Sequence, residues 1–499
     1  MNRRFSLWFA PLAFCVALSA QTILVKPYVQ SGHQPISGAA DSKVITWLTD
    51  TQPGRFEVDF GATTNFGRLT QPIVTALNFG KEGSYLKYTA YIGRLPLDGQ
   101  FHYRVRLENE VLRAGTVVTR KSATNAVEFV VVGDTGDGKA DERKIAFQIG
   151  RAAPEFAVIV GDIVYPRGTV KEYLKNFWGP YNNTIEASPE TGAPVMGTVP
   201  FYGVLGNHDV GASNLATVPD GLGAFYFFHP PRNGPPPLRS HLRVRGTDLQ
   251  LAEFKRAAAD ASPHLGFYSF DNGSVHGLCL DANRYVDFTE PALLEWIRAD
   301  LTRSRALWKL VFFHHPGFQA TLAHYREQQT RVLAPLFEEC GVDIAFAGHV
   351  HNYQRSQPLK FKPAQAKPDR AGEVNGVFTI DSRFDGATNT VPQGVIYVVT
   401  GGGGAGLYKP SVEELDPRFQ PSAENWTPFT AKYIADRHSF SVVKADPQKL
   451  VLRQLDEDGF EVDRITITKP APITPSLKPA TTKALPAVQG LPSGARSTN

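Results

Sequence analysis

The chain predicts an α/β domain preceded by an all-β sandwich, and three observations carry that expectation. Its 499 residues, 42% of them apolar, are too many for one ordinary core and enough for two. Residues 21–120 hold short alternating, aromatic-rich runs separated by turn signals. From Val127 onward, apolar runs alternate with stretches of helical periodicity.

Residues 1–20 read as a signal peptide. Arg3 and Arg4 precede an apolar run at 7–18, and Ser19-Ala20 offers small residues for cleavage before Gln21. That run is too short for a membrane anchor, and no later segment has the ~18 uninterrupted apolar residues a spanning helix needs. Bulky Phe14 beside Cys15 makes a poor lipoprotein box. The expectation is an exported soluble protein, secreted or periplasmic, without a membrane span. Removing Arg3 and Arg4 takes the formal charge from +4 to +2, and no basic block points to a nucleic-acid partner. Cys15 leaves with the leader; Cys279 and Cys340 lack metal-ligand spacing and read as small core residues.

The sandwich strands are expected at 43–48, 55–60, 88–92 and 102–107, and they carry no evident chemistry. The α/β domain is expected over 126–468, with helices at 144–153, 290–304 and 324–340. In the second, Leu293, Leu294, Trp296, Ile297 and Leu301 make one apolar face and Thr289 is the expected cap; Gly341 stops the third. Residues 211–262 form a loop-rich insertion around a proline-rich run at 230–237. Its aromatic run Phe225-Tyr226-Phe227-Phe228 either shapes a substrate pocket or packs the insertion. Residues 469–499, rich in Pro, Ala, Thr and Ser, read as a disordered tail.

Chemistry gathers where apolar strands end. Val130-Val131-Val132 runs into Gly133-Asp134-Thr135-Gly136, and Val158-Ile159-Val160 runs into Gly161-Asp162-Ile163-Val164-Tyr165. The two Gly-Asp exits lie 28 residues apart with a helix between, so one βαβ unit would bring both carboxylates to one edge. Val204-Leu205 leads to Gly206-Asn207-His208-Asp209, which adds a neutral oxygen ligand and an imidazole. Leu310 to Phe313 leads to His314-His315-Pro316, and Val342 to Ala347 leads to Gly348-His349-Val350-His351-Asn352-Tyr353. Imidazole is the commonest metal-ligating side chain, and together the five clusters supply the ligands of a two-metal hydrolase.

In this order the series Gly-Asp-x-Gly, Gly-Asp-x-x-Tyr, Gly-Asn-His-Asp, Val-x-x-His-x-Pro and Gly-His-x-His-x-Tyr resembles the purple acid phosphatases, a branch of the calcineurin-like metallophosphoesterases. The motifs span residues 134–355, and the family's N-terminal sandwich matches 21–120. The resemblance implies an αββα metallophosphoesterase sandwich after a fibronectin type III-like sandwich. It implies that one metal is held by Asp134, Asp162, Tyr165 and His351, and the other by Asp162, Asn207, His314 and His349, with Asp162 bridging. His314 rather than His315 fits the His-x-Pro spacing. His208 and, more loosely, His324 are implied as outer histidines beside the phosphate; a surface histidine at a helix start is the alternative for His324. Asp209 is expected to orient His208, and Arg355 to pair with a local acid.

Many relatives in the wider superfamily carry His where this chain has Gly136, and Tyr165 would replace that ligand. A phenolate is hard and anionic and favours Fe(III), so the implied cofactors are Fe(III) plus a divalent ion: Fe, Zn or Mn. The implied substrate is a small phosphate monoester. A phosphodiesterase or nucleotide hydrolase is the runner-up, and a non-catalytic binding protein the reading from another class. Gly401 to Gly406 formally matches G-x-G-x-x-G after an apolar strand, but Pro410 and polar residues follow instead of a helix, so a close-approach turn beside the metals is expected. Asn182, Asn272 and Asn425 open glycosylation sequons.

Overall fold

The computed structural model describes residues 21–32, 40–259, 261–408 and 429–469. The expected signal peptide, the tail beyond Lys469, Pro410 and the Asn425 sequon lie outside these residues.

Two four-stranded sheets make the N-terminal sandwich. One orders Ile23–Gln30, Ala40–Thr49, Ser84–Pro96 and Ile73–Asn78; the other orders Arg68–Thr70, Phe56–Gly61, Gln100–Leu107 and Glu110–Val118. Alternation puts Trp47, Phe56 and Tyr88 between them, with Trp47 stacked on Tyr88 at 5.4 Å and 2°. The outer face of the first sheet is also covered. Lys87 Nζ donates to the carbonyls of Tyr226 (3.0 Å) and Ala257 (3.2 Å), and Tyr28 OH donates to that of Phe227 (2.8 Å). The aromatic run 225–228 is therefore buried packing between the insertion and the sandwich. Helices Ala224–Phe227 and Asp248–Ala257 give the insertion its only helical content among the described residues, the second capped by a Thr247–Gln250 capping box.

The α/β part is a four-layer sandwich. A six-stranded sheet orders Phe201–Gly203, Phe156–Ile159, Val127–Val132, Ser439–Ala445, Lys449–Asp456 and Glu461–Thr468. A seven-stranded sheet orders Phe267–Asn272, Val275–Leu280, Trp308–Phe312, Ile344–Ala347, Ile396–Thr400, Tyr353–Ser356 and Thr430–Ile434. Phe129, Phe156, Phe270, Phe312 and Phe346 fill the space between the sheets. The alternate residues of the same strands face outward: Val130 and Val132 meet helix Ala140–Ala152, and Val311 and Ala345 meet helices Pro291–Arg303 and Ala334–Glu339.

Two expected details differ. Thr289 does not cap the helix after it: its hydroxyl donates to Asp287 (2.6 Å), Glu290 is the N-cap, and Pro291 opens the first turn. Residues 324–340 are not one helix. His324 has φ 58°, a 3-10 turn spans Gln329–Leu333, and an α-helix occupies only Ala334–Glu339. Pro335 lacks an N–H and fits a helical first turn but not an interior. The sequon asparagines are spent on structure: Asn182 Nδ2 donates to Lys26 O (2.8 Å), and Asn272 Oδ1 accepts from Lys121 N (2.8 Å). Cys279 and Cys340 are free and buried.

Candidate metal centre

All five clusters leave their strands at one edge of the two sheets. Val127–Val132 and Phe156–Ile159 pair in parallel with Val132 opposite Ile159, so Asp134 and Asp162 exit side by side. Asp134 N donates to Gly161 O and Thr135 N to Asp162 O, both at 3.1 Å. The second sheet delivers His314 from Trp308–Phe312 and His349 from the parallel neighbour Ile344–Ala347. Four described non-glycine site residues lie in the left-handed region: Asp134 (φ 60°), Asp162 (49°), His324 (58°) and His349 (68°). Each such turn costs about 1–3 kcal/mol, and here it aims a side chain inward from a strand end.

The geometry brings the expected ligands to one place. Tyr165 OH lies 3.0 Å from Asp134 Oδ1, 3.2 Å from Asp162 Oδ2 and 3.0 Å from His351 Nε2. His351 Nε2 is 3.4 Å from Asp134 Oδ1. His314 Nε2 is 3.2 Å from both Asn207 Oδ1 and Asp162 Oδ2. Ligand atoms of Asp162, His314 and His349 fall within 4.8 Å of one another. His315 turns instead toward Glu327, its Nε2 3.6 Å from that carboxylate.

Two backbone carbonyls decide what the imidazoles offer. A carbonyl only accepts, so His314 Nδ1 must donate to Val160 O (2.8 Å) and His351 Nδ1 to Gly406 O (2.8 Å). In the neutral ring each Nε2 is then a lone pair. For His314 that lone pair faces two more acceptors, Asn207 Oδ1 and Asp162 Oδ2. Around Tyr165 one phenolic proton serves two carboxylates and an imidazole. Acceptors that converge with few protons between them fit a bound cation, and the Nδ1 contacts fix ring orientation as metal-ligating histidines require.

The electrostatics follow from burial. Burial alone would raise Asp162, but His314, and after it His208 and His349, outweigh this and hold its carboxyl far below the usual range. Burial is the largest influence on His314 and lowers it, but Asp162, Asp134 and the Val160 carbonyl together outweigh burial and push it up to about 9, so with no cation bound its Nε2 takes a proton toward Asp162. Burial lowers His349 to about 4. Burial, then Asp134 and Asp162, raise the Tyr165 phenol well above its ordinary value. Burial and the Asp162 charge push Asp209 up to about 8.

His208 sits at the rim. Its backbone N–H donates to Asp162 Oδ1 (2.8 Å), Nδ1 donates to Pro166 O (2.6 Å), and Nε2 lies 3.8 Å from Asp162 Oδ2. Asp209 therefore does not orient this ring: its carboxylate accepts from Ile163 N (3.0 Å) and Gly206 N (2.8 Å), holding the loop instead. Arg355 does pair with an acid, Asp463, at 2.7 Å. His324 lies over His349, ring centroids 4.0 Å apart.

Glu327 was not expected. One carboxylate reaches three imidazoles: Oε1 to His324 Nδ1 (3.0 Å), and Oε2 to His349 Nε2 (3.3 Å) and His315 Nε2 (3.6 Å). Burial would raise its pKa, but His324 and His349 reverse that and hold it far below the usual range. Its sequence signal was the spacing His324-x-x-Glu327, hidden inside an expected helix. Tyr408 was also missed; its ring stacks on His351 at 4.1 Å and 8°. The glycine run is a close-approach turn, with Ala405 N donating to Asp134 O (3.1 Å). A Cβ on Gly401 would stand 2.4 Å from Val350 O and 2.7 Å from Asp134 Oδ2. No helix follows within 401–408.

A calcineurin-like phosphoesterase family model matches residues 127–353. Purple acid phosphatase 18 of Arabidopsis thaliana is 24% identical over 351 residues, 68% of each chain. Fe(3+)-Zn(2+) purple acid phosphatase 12 of the same plant is 23% identical over 322 residues, 63% of this chain and 62% of that one. Purple acid phosphatase PPD1 from yellow lupin (Lupinus luteus) seeds superposes with a TM-score of 0.57 at 17% identity, over 89% of this chain and 74% of that chain, a likeness of fold.

Proposed function

We infer that this chain, matched over residues 127–353 by a calcineurin-like phosphoesterase model and similar to purple acid phosphatases, is an exported metal-dependent phosphatase hydrolysing small phosphate monoesters at a two-metal centre. Residues 21–120 are its sandwich and 126–468 its catalytic unit. The observation that carries this reading is the converging set of proton-poor acceptors around Asp162.

Asp134, Tyr165 and His351 would hold one ion, Asn207, His314 and His349 the other, with Asp162 shared. A ferric–divalent pair bound there would supply Lewis acidity to phosphoryl oxygens and an acidified water for in-line attack. Asp134, Asp162 and ionised Tyr165 would leave such a pair with a net charge of about +2, suited to a phosphate ester. Gly136 has no room to act as the ligand-bearing position, since a Cβ there would stand 2.4 Å from Ile163 O. Tyr165, two residues after Ile163, takes that place, and its phenolate favours Fe(III).

The chain's own part in the reaction falls to two rim histidines. Pro166 O fixes the His208 Nδ1 proton and leaves Nε2 facing the site. Glu327 does the same for His324 through Nδ1. When the ring carries a second proton, either Nε2–H can bind a phosphoryl oxygen or pass that proton to the leaving oxygen, worth about 10²–10⁴-fold.

The test joins metal analysis, colour and turnover. Purified protein should be violet, carry iron and two ions per chain, and favour p-nitrophenyl phosphate over its bis-ester. Asp162→Ala and His349→Ala should lose both metal and turnover. Near-normal activity with full metal content in either variant would sink the site assignment. A colourless, iron-free, active sample would overturn the iron assignment, and a preference for the bis-ester the monoester assignment.

A further inference from the structure

Beside Tyr165 and His351 the candidate centre opens into a cleft of about 490 Å³. Lys139, Lys175, Asn176 and Asp137 line it as well. This lining is fixed to the site. Asn176 Nδ2 donates to Tyr165 O at 3.1 Å, which ties the helical turn Tyr173–Phe177 to the tyrosine. Tyr173 and Phe177 of that turn are buried in the core, so the intervening Lys175 projects from an anchored backbone. A Cβ on Gly138 would stand 2.8 Å from Asn176 Oδ1, so the loop bearing Lys139 abuts the same turn.

The charges are unequal. Lys139 Nζ is already paired with Asp137 at 2.5 Å. No ion-pair partner is found for Lys175 among the described residues. The cleft therefore offers one paired and one unpaired ammonium beside a site that takes a phosphate, and a side wall, Tyr165 and His351, shared with that site.

We propose that this cleft selects phosphate esters whose leaving group carries a second anionic group, a phosphate or a carboxylate, which Lys175 and secondarily Lys139 receive. The proposal rests on the phosphatase reading above. A lysine is a point charge suited to either anion, and at a cleft rim its effect is screened by salt. One such contact in a solvated cleft corresponds to about a three- to tenfold change in relative specificity.

The experiment compares kcat/KM on fructose 1,6-bisphosphate and 3-phosphoglycerate, each as a ratio to p-nitrophenyl phosphate. It uses the metal-loaded enzyme, Lys175→Ala, Lys175→Glu and Lys139→Ala, at low and high ionic strength. In the wild type at least one ratio should exceed that of an uncharged-tail control, glycerol 2-phosphate, and should fall with added salt. Lys175→Ala should lower the ratio about three- to tenfold, chiefly through KM, and Lys175→Glu should lower it further. A fall with the bisphosphate alone identifies the second anion as a phosphate, and a fall with 3-phosphoglycerate alone as a carboxylate. Ratios untouched by Lys175→Glu and by salt, in an enzyme that turns over p-nitrophenyl phosphate, would overturn the cleft's role. Failure of the wild type on every monoester would instead overturn the phosphatase reading.

Discussion

Replacing Glu327 with glutamine keeps its shape and removes its charge. Its carboxylate meets His324 Nδ1 at 3.0 Å and His349 Nε2 at 3.3 Å, and its side chain is 18% exposed. A charged hydrogen bond is worth about 1.5–3 kcal/mol and a neutral one about 1 kcal/mol, so the two contacts together would lose about 1–4 kcal/mol. If Glu327 orients His349, most of this loss appears as weaker binding of the ion that His349 holds, about tenfold in affinity. The assay is chelator competition at fixed pH, with each metal titrated separately, alongside kcat and KM. Glu327→Gln should weaken one of the two ions about tenfold and leave the other within twofold. Unchanged metal affinity in both Glu327→Gln and Glu327→Ala would refute the positioning role. Metal loss in Glu327→Ala as complete as in His349→Ala would refute it in the other direction, by making Glu327 a ligand.

Two further predictions concern the frame. His276 is 2% exposed and lies between two carboxylates, Nδ1 2.7 Å from Asp271 and Nε2 2.9 Å from Asp300. Burial lowers its pKa, but the two acids reverse this and push it from 6.5 up to about 9. The folded value exceeds the unfolded one, so about 3 kcal/mol of stability is present below pH 6.5 and lost as pH rises through about 9. Unfolding melts from pH 6 to 10 should show that decline in the wild type; its persistence unchanged in His276→Gln would contradict the clamp. Gly401→Ala should displace the loop of His349 and His351, cutting metal content and turnover more than about tenfold. Gly93→Ala, where a Cβ meets nothing within 4 Å, is the control, and equal retention of metal by both would refute the close-approach argument.

The ligand loops were legible because buried parallel strands read as apolar runs, and a polar residue at their exit stands out. Asp134 after Val132 and His349 after Ala347 are of this kind. The sheet order was not legible. Ser439–Ala445 pairs antiparallel with Val127–Val132, some 310 residues earlier, and nothing local to either strand encodes that partner. Glu327 was hidden for a related reason. A glutamate in an amphipathic stretch reads as a solvated helix face, and only the left-handed turn at His324 and the restart at Pro335 swing it toward three imidazoles. Thr289 preceded a good helix and looked like its cap, but Asp287, two residues earlier, competes for the same hydroxyl. Asp209 was misassigned because adjacency to His208 suggested contact, whereas the two side chains meet one loop at different points, Asp209 at Ile163 N and His208 at Pro166 O.

The four left-handed residues, Asp134, Asp162, His324 and His349, have a consequence for descent. At each, glycine would relieve backbone strain and asparagine would bear it more easily than most residues. Selection for hydrolysis therefore opposes selection for a more stable apoprotein at the same four codons. A descendant released from catalysis would gain stability by losing these four side chains, and glycine or asparagine at their positions would be the record left in its sequence.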